Sequence, residues 1–469
     1  MTELYPFNLM AKPAGPQCNL NCDYCFYLSK QELLFNNLQD KKKNADNKNH
    51  ADYKMLADRI NRTGDKNRAD KKTVNKKTAQ PLPVSSFAMN YEVLEAYIKG
   101  YIEAQPEGTK EITFSWQGGE PSLLPVSFFE KALELQKKYS RRGMNIFNTF
   151  QTNGTLLSAE LAGWLKNHNF LVGISIDGPE RLHNLFRKDK TGAGSFNAVM
   201  KGIDNLVAAG TDFNTLTCIQ SDNCRYPEEI YDFLKSIGSK FIQFIPIVET
   251  LSGKPGVVSD VSSRTVGPQE WGSFLIGVFN KWIKNDIGRI FIQHFDSALS
   301  VYAGYISPMC VFSETCGNAM AIEHEGSIYS CDHYVFPDYY LGNVTEKPLE
   351  EIVFSEKQLQ FGQAKKNKLP DKCLNCSFLN LCRGGCPKNR IVHTDSGSIN
   401  WLCEGYYNFF DYTSAHFKAM NSALRNRLPA SDFRRFFIVD SRKRPGRNNL
   451  CPCGSGLKFK DCHGALPSV

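Results

Sequence analysis

The chain has 469 residues, of which 42% are hydrophobic and 22% charged, an ordinary composition for a globular protein. This length exceeds what one hydrophobic core usually supports, so we expect one large domain and one or two smaller ones. No stretch approaches 18 consecutive apolar residues, and the N-terminus has no basic segment before an apolar run, which argues against a membrane span and a secretory signal. We therefore expect a cytoplasmic protein whose 16 cysteines are metal ligands or catalytic groups rather than disulfides.

The formal charge of +8 is concentrated in one segment. Residues 40–77 hold 13 Lys and Arg against 6 Asp, with few apolar residues. Such a composition cannot bury enough surface to offset the entropy of ordering, so we interpret residues 36–83 as a low-complexity basic insertion. The insertion binds nucleic acid or a partner, or it is solvated and has no specific function.

Outside the insertion, short β-branched or aromatic runs alternate with longer amphipathic ones. The predicted strands are residues 7–14, 111–117, 145–154, 171–178, 214–220 and 241–248. The predicted helices are residues 91–104, 127–143, 158–169, 196–210 and 227–238. Strands that alternate with helices predict a parallel α/β barrel or partial barrel, in which chemistry gathers at the carboxyl ends of the strands. The strings QGGEP, QTNG and SIDGP fall at those ends.

A trio of cysteines, Cys18, Cys22 and Cys25, follows the first predicted strand in the pattern CxxxCxxC. No fourth cysteine lies nearby in the sequence. Three thiolates can hold three irons of a [4Fe-4S] cluster and leave the fourth iron without a protein ligand. An open metal position is typical of catalytic rather than structural sites, so the trio predicts a reactive iron–sulfur site.

From residue 310 onwards cysteines dominate and regular periodicity fades, so we predict a domain boundary near residue 300. Eight cysteines follow it: Cys310, Cys316, Cys331, Cys373, Cys376, Cys382, Cys386 and Cys403. Eight ligands suffice for two fully coordinated [4Fe-4S] clusters, and a pair of zinc sites is the alternative.

The last composition change comes at residue 441, where a basic linker leads into CPCGSGLKFKDCH. Cys451, Cys453, Cys462 and His463 have the composition of a tetrahedral zinc site. Bound zinc can supply about 10–16 kcal/mol of apparent folding energy, enough for a small module with hardly any core. The module docks a partner, or it is a passive fold held by zinc.

The two remaining cysteines, Cys218 and Cys224, belong to none of these sets. We interpret them as a strand thiol and a loop thiol without a role.

The string CNLNCDYCFY resembles the signature of the radical S-adenosylmethionine (SAM) family. The resemblance implies a [4Fe-4S] cluster on the trio, whose open iron binds SAM, and reductive cleavage of SAM to a 5'-deoxyadenosyl radical. In this resemblance Glu120 meets the SAM amino group, and Ser175 and Arg187 meet its carboxylate. The implied cofactor-binding positions are Tyr24, Gln117, Gly118, Gly119, Glu120, Ser175, Arg187 and Val248. Taken alone, the string GGEP is equally compatible with a simple turn.

The later cysteines resemble the SPASM domain of peptide-modifying radical SAM enzymes. The first auxiliary [4Fe-4S] cluster is thereby implied to bind Cys310, Cys316, Cys331 and Cys386. The second is implied to bind Cys373, Cys376, Cys382 and Cys403. The last motif resembles the SEC-C motif, which implies Zn²⁺. The implied α/β fold is a partial (β/α)6 radical SAM barrel over residues 1–300, a SPASM domain over 301–440 and a zinc module over 441–469.

The pair Cys331 and Asp332, together with WQGGEP, QTNGTLL and GISIDGP, is similar to the anaerobic sulfatase-maturating enzymes. This similarity covers roughly residues 5–410 without the insertion. It implies oxidation of a Cys or Ser of a sulfatase to formylglycine (3-oxoalanine), with Asp332 as the general base. In an arbitrary protein, Asp332 would be only a polar loop residue. The implied partners are a sulfatase polypeptide and an electron donor such as flavodoxin or ferredoxin, and we expect neither a membrane nor a nucleic-acid partner.

Two other functions stay open from the sequence. A SPASM peptide maturase, which installs thioether or other crosslinks on a ribosomal peptide, would share all eleven cluster cysteines. A zinc-rich adaptor would bind nucleic acid or the translation machinery through the insertion and the terminal module. Anaerobic protein that is brown and holds about twelve irons would favour the enzymes, and colourless protein with zinc would favour the adaptor.

Overall fold

The computed structural model describes residues 5–27, 30, 87–439 and 444–465. The predicted insertion at residues 36–83 lies outside these ranges. The described strands are β1 (Asn8–Lys12), β2 (Glu111–Trp116), β3 (Asn145–Thr152), β4 (Phe170–Ser175), β5 (Phe213–Ile219), β6 (Phe241–Pro246), β7 (Phe291–Ile292), β8 (Ala319–Glu323), β9 (Ser327–Tyr329), β10 (Tyr340–Asn343), β11 (Arg390–Thr394) and β12 (Gly397–Asn400).

The helices alternate with the strands in the first part of the chain and then cluster near its end. They are α1 (Tyr91–Glu103), α2 (Val126–Tyr139), α3 (Ala159–Asn167), α4 (Glu180–His183), α5 (Phe196–Ala209), α6 (Pro227–Ser236), α7 (Pro268–Asn285), α8 (Gln293–Tyr302), α9 (Leu349–Val353), α10 (Glu356–Asn367), α11 (Asp371–Leu374), α12 (Leu379–Cys382) and α13 (Cys403–Arg425). None of those described combines the length and apolar character that crossing a membrane requires.

Ten strands form one sheet in the order β10-β9-β8-β1-β2-β3-β4-β5-β6-β7. From β1 to β7 all neighbours are parallel, which confirms the six predicted strands and the partial barrel. The short strand β7 was not predicted. Because consecutive parallel strands are joined by helices, the carboxyl ends of β1 to β6 all lie at one edge of the sheet.

The sheet continues past residue 300. Strand β8 pairs in parallel with β1, with Asn8 opposite Ala319 and Lys12 opposite Glu323, and β9 and β10 add antiparallel strands. This pairing covers a barrel edge whose backbone groups would otherwise lack partners. The division into domains near residue 300 stays a prediction, and it lies within one continuous sheet.

Local signals explain several helix ends. The Asn90 side chain accepts a hydrogen bond from the Val93 amide at 2.8 Å at the start of α1. The Ser158 side chain accepts one from the Leu161 amide at 3.1 Å at the start of α3. Helix α5 ends at Gly210, whose φ of +67° is the left-handed conformation that glycine adopts readily. These capping residues satisfy backbone groups that the helix itself leaves unpaired.

The long helix α13 packs across α7 and α8 and joins the later part of the chain to the barrel core. The backbones of α7 and α13 approach closely where two glycines meet, because a Cβ on Gly272 would lie 2.7 Å from the Gly405 carbonyl oxygen. Aromatic packing extends the contact, with the rings of Phe295 and Phe409 5.6 Å apart. Since α13 begins at Cys403, this crossing fixes the position of that cysteine against the barrel.

Candidate active site

The cysteine loop after β1 lies across the carboxyl edge of the sheet. The turn after β2 holds it, since the Gln117 amide donates to the Ala11 carbonyl at 2.9 Å and the Glu120 amide to the Gln17 carbonyl at 2.7 Å. The turn after β3 adds a bond from the Asn153 side chain to the Cys18 sulfur at 3.6 Å. The trio is therefore positioned by strands that are far from it in sequence.

Gly118 and Gly119 allow this close packing. Their φ angles are +89° and +47°, and a Cβ on Gly119 would lie 2.0 Å from the backbone carbonyl oxygen of Gln17. A backbone atom cannot move aside as a flexible side chain can. The glycine pair is therefore required for the turn after β2 to touch the cysteine loop.

Gly119→Ala should destabilise the protein and lower the occupancy of the trio. Left-handed backbone costs an alanine roughly 1–2 kcal/mol, and the clash with Gln17 should add about 1–3 kcal/mol. Gly143→Ala is the matched control, because Gly143 also has a positive φ of +79° but no atom within 4 Å of the added Cβ. Thermal unfolding and iron content check the prediction, and equal losses in both variants would contradict it.

Glu120 is fully buried and its carboxylate is already engaged by protein donors. One oxygen accepts from the Ser122 amide and hydroxyl and from the Thr152 hydroxyl, and the other accepts from the Asn153 amide at 2.7 Å. Burial raises the pKa of Glu120, and these donors oppose the shift. Glu120 thus ties the turns after β2 and β3 together, and its role toward SAM stays a prediction.

Tyr24, Asp177 and Arg187 form a buried polar group near the trio. The Tyr24 hydroxyl donates to Asp177 and accepts from Arg187 at 3.0 Å, and the other Asp177 oxygen accepts from the Cys218 amide at 3.0 Å. Burial raises the pKa of Asp177, and the Arg187 guanidinium opposes the shift. Cys218 lies in β5, as predicted, and its backbone amide joins that strand to this polar group.

Two polar atoms at the edge suit the methionine end of SAM. The Arg187 Nε, a donor, and the Gln117 Oε1, an acceptor, are buried without a hydrogen-bond partner among the described residues. A donor fits a carboxylate and an acceptor fits an ammonium group. Ser175 ends β4 at this edge, half-buried, and Val248 lies buried two residues after β6. The residues present are therefore compatible with the cofactor that the resemblance implies.

Two thiols of the trio, those of Cys18 and Cys22, are protonated at neutral pH unless they bind a metal. Burial raises the pKa of Cys18, and it raises that of Cys22 to about 11 with Arg187 opposing. A thiol with such a pKa is protonated at neutral pH unless a metal takes the place of the proton. The chemistry of the donor set therefore fits an iron–sulfur cluster.

The structure brings the eight later cysteines together in two groups. Burial raises the pKa of Cys310 and of Cys316 to about 11, and Cys386 adds to both shifts. Cys386 and Cys310 also help to raise the pKa of Cys331, which places Cys331 in the same group. In the second group, burial raises the pKa of Cys382 to about 12, with Cys403, Cys373 and Cys376 adding to it. The grouping matches the two predicted ligand sets, whose iron content stays a prediction.

Two buried cations lie against these thiols. The Lys365 ammonium donates to the carbonyls of Cys310 and Val311, at 2.7 and 3.0 Å. Arg390 interacts with thiols of both groups, and its guanidinium donates to the carbonyls of Lys365 and Gly384. Neither forms an ion pair with a carboxylate of the described residues. A buried charge needs a counter-charge, which thiolate-bound clusters would provide.

Asp332 lies next to Cys331 and is joined to the segment that follows the trio. The Lys30 ammonium donates to the Asp332 backbone carbonyl, and the Asp332 side chain accepts from the Cys331 thiol at 3.4 Å. Burial would raise the pKa of Asp332, but its neighbours His333, Lys12 and Lys30 outweigh it and hold the pKa well below its usual range. Asp332 is therefore a carboxylate at neutral pH.

The terminal motif forms a compact four-ligand group. The His463 Nδ1 lies 3.3 Å from the sulfurs of both Cys451 and Cys462, and the Cys453 and Cys462 sulfurs are 3.6 Å apart. Tetrahedral Zn–S bonds of about 2.3 Å put two sulfurs about 3.8 Å apart, so the spacing suits zinc. The His463 Nε2 donates to the Arg434 carbonyl at 3.1 Å, which leaves Nδ1 free to bind the metal.

Cys453→Ser should remove about one zinc ion per chain and unfold the terminal module. The module contacts α13 through the His416 ring and the Pro452 carbonyl, at 2.7 Å. Arg434 joins it to α7, since its carbonyl accepts from His463 at 3.1 Å and its guanidinium donates to the Ile283 carbonyl at 3.0 Å. We therefore expect new proteolytic cleavage after residue 439 with the iron content retained. Cys224→Ser is the matched control, since Cys224 is buried outside every ligand group. Unchanged zinc content would contradict the prediction.

Several residues of this site were not predicted from the sequence. Asn153 and Asp177 lie in the strings QTNG and SIDGP, whose position at strand ends was a usable signal. Lys30, Lys365 and Arg390 gave no local signal, because a lysine or arginine that becomes buried looks the same in sequence as an exposed one.

Comparison with known proteins identifies three regions of the chain. Residues 13–234 match the model of the radical SAM superfamily, residues 310–377 that of the SPASM iron–sulfur cluster-binding domain, and residues 447–465 that of the SEC-C motif. The serine-type anaerobic sulfatase-maturating enzyme of Bacteroides thetaiotaomicron is 38% identical over 90% of this chain and 92% of its own length. The cysteine-type enzyme of Clostridium perfringens is 31% identical over 87% of this chain and 96% of its own.

Solved structures show the same relationship. The structure of anSMEcpe with bound AdoMet (SAM) superposes with a TM-score of 0.71 at 29% identity, over 89% of this chain and all of that one. A structure of that protein with AdoMet and the Kp18Cys peptide gives 0.70 at 29% identity, over 89% of this chain and 99% of that one.

Proposed function

We propose that this chain, which belongs to the anaerobic sulfatase-maturating enzymes of the radical SAM superfamily, oxidises an active-site Cys or Ser of a sulfatase to Cα-formylglycine. The observation that carries the proposal is the position of Asp332. This ionised carboxylate directly follows Cys331, and its backbone carbonyl accepts from Lys30, five residues after the trio, in a chain related over most of its length to both serine-type and cysteine-type maturating enzymes. We assign the reaction to the cytoplasm.

The cofactors of the proposal are SAM, three [4Fe-4S] clusters and one Zn²⁺ ion. When bound at Cys18, Cys22 and Cys25, the cluster and SAM supply the radical that removes a Cβ hydrogen from the target residue. The two auxiliary sites are the cysteine groups of Cys331 and of Cys382. The zinc site is the group of Cys451, Cys453, Cys462 and His463.

Residues of the chain orient the cofactor and move the proton. Arg187 and Gln117 orient the carboxylate and amino groups of SAM through their unpaired Nε and Oε1 atoms. Asp332, a carboxylate before the reaction, accepts the hydroxyl or thiol proton of the target residue. Lys30 binds the backbone carbonyl of Asp332 and so ties the base to the segment that follows the trio.

An anaerobic assay with reductant, SAM and matched peptides tests the proposal. Peptides with CxPxR and SxPxR sequences should yield 5'-deoxyadenosine and an aldehyde in equal amounts. Mass spectrometry should show loss of two hydrogens from a Ser target or exchange of the thiol for a carbonyl oxygen in a Cys target. Peptides with Ala at the target position are the control. A crosslinked product without aldehyde would instead indicate a peptide maturase.

A further inference from the structure

We propose that an acidic electron-carrier protein docks on a basic surface formed by Lys366, Lys368, Lys372 and Arg383. This inference rests on the proposed function in one respect, namely that the cysteine group of Cys382 holds an iron–sulfur cluster. Removal of a hydrogen atom from the target Cβ and of a proton from its hydroxyl or thiol leaves a substrate radical that must still lose one electron, which a partner must finally accept. The basic surface is where that partner would meet the chain.

The charge of this surface is concentrated and only partly neutralised. Residues 361–390 contain seven Lys and Arg but one acidic residue, Asp371. Glu314 lies 2.8 Å from the Lys366 ammonium and 3.9 Å from the Arg383 guanidinium. Lys368 and Lys372 are exposed and form no ion pair with the described residues. A concentrated positive field attracts an acidic partner and orients it during encounter.

Hydrogen bonds of a buried arginine hold the backbone of the basic surface in place. The buried Arg390 donates to the Lys365 carbonyl at 2.7 Å and to the Arg383 carbonyl at 3.2 Å. It thereby ties the end of α10, which carries Lys366, to the turn after α12. A partner that docks on a preorganised surface loses less conformational entropy than one that must order it.

The basic surface surrounds the predicted ligands of the second auxiliary cluster. Lys372 directly precedes Cys373, and Arg383 directly follows Cys382. A partner seated on the lysines would therefore be next to the cluster.

Two exposed apolar side chains complete the surface. Leu374, between Cys373 and Cys376, is 55% exposed, and Tyr407, one helical turn after Cys403, is 46% exposed. Apolar residues surrounded by charged ones are typical of protein interfaces, and electron-transfer complexes are among the smallest and most transient. The surface therefore fits a brief encounter rather than a permanent subunit.

Electron transfer to oxidised flavodoxin, an acidic flavoprotein, tests the proposal. The full-length chain with the trio replaced by alanine would be used, so that only the auxiliary sites carry iron. After reduction, one electron passes from the protein to the flavin, and stopped-flow absorbance reports the semiquinone. The triple variant Lys366→Glu, Lys368→Glu and Lys372→Glu should lower the second-order rate constant at low ionic strength by about tenfold or more.

Two comparisons separate docking from other causes. The triple variant Lys110→Glu, Lys201→Glu and Lys240→Glu makes the same change in net charge on exposed barrel lysines and should keep the rate within about twofold. Transfer to a small neutral quinone, which needs no docking surface, should be unchanged in both variants. An unchanged flavodoxin rate, equal losses in both triple variants, or an equal loss with the quinone would each overturn the proposal.

The outcome of the flavodoxin experiment does not depend on aldehyde formation. A chemical reductant replaces the carrier in the maturation assay, so failure of the docking test leaves the proposed function standing. Conversely, electron transfer that depends on the three lysines would stand even if neither peptide were oxidised.

Discussion

Cys22→Ala should abolish reductive cleavage of SAM while leaving about eight of about twelve irons in the chain. Cys22 is the buried member of the trio, and its loss leaves two thiols to hold a cluster that already has one open position. The eight cysteines of the auxiliary groups are on other elements and should keep their iron. Chromatography of 5'-deoxyadenosine and a colorimetric iron determination check both parts.

Cys224→Ala is the matched control for this variant. Cys224 is also buried, yet it belongs to neither the trio nor the auxiliary groups, so both its iron and its SAM cleavage should equal those of the unmodified chain. If Cys22→Ala produced 5'-deoxyadenosine at the normal rate, the trio would not be the SAM site. Loss of all iron from Cys22→Ala would show that the auxiliary sites depend on the trio for folding.

Asp332→Asn should lower aldehyde formation by about 10²- to 10⁴-fold, the usual contribution of a general base. Asparagine has nearly the same shape as aspartate but cannot accept the proton of the target hydroxyl or thiol. Iron content and the ability to cleave SAM should be retained, because the adjacent Cys331 is unchanged. The assay measures aldehyde, 5'-deoxyadenosine and iron in the same sample.

Asp338→Asn provides the comparison, since Asp338 is an exposed carboxylate six residues further along the chain. It should leave aldehyde formation within about twofold of the unmodified value, as surface substitutions usually do. Full aldehyde yield from Asp332→Asn would remove Asp332 from the mechanism. Loss of iron in that variant would instead indicate that Asp332 supports the ligand Cys331.

The strands and helices of the barrel could be predicted because their signals are local. Alternating and 3.6-residue patterns report which face of an element is buried, and Gly210 marked the end of α5 as a left-handed cap. Strand β7 was not predicted because its two residues, between two helices, carry no periodicity. Strand β8 was not predicted because its five residues lie among loops and cysteines, where the pattern is weak.

The polar surroundings of the site were less predictable. Asp177 binds Tyr24, which lies 153 residues earlier, and Lys30 reaches Asp332 across 302 residues. Such partners depend on which strand ends become neighbours, which no local pattern contains. Likewise, the hydrogen bonds that join the Glu120 carboxylate to the turns after β2 and β3 were not predicted, and the contact of Glu120 with SAM stays a prediction.

The sequence by itself determined the chemistry available to this protein, because the spacing of the trio, the eight later cysteines and the terminal motif is written in short segments. It also determined the order of the barrel elements. Only the tertiary structure decided how the parts meet: β8 pairs with β1, Arg390 lies against both cysteine groups, and the terminal module rests on α7 and α13. These contacts join residues far apart in the chain, and burial and hydrogen bonding in the folded state select them from many possible partners.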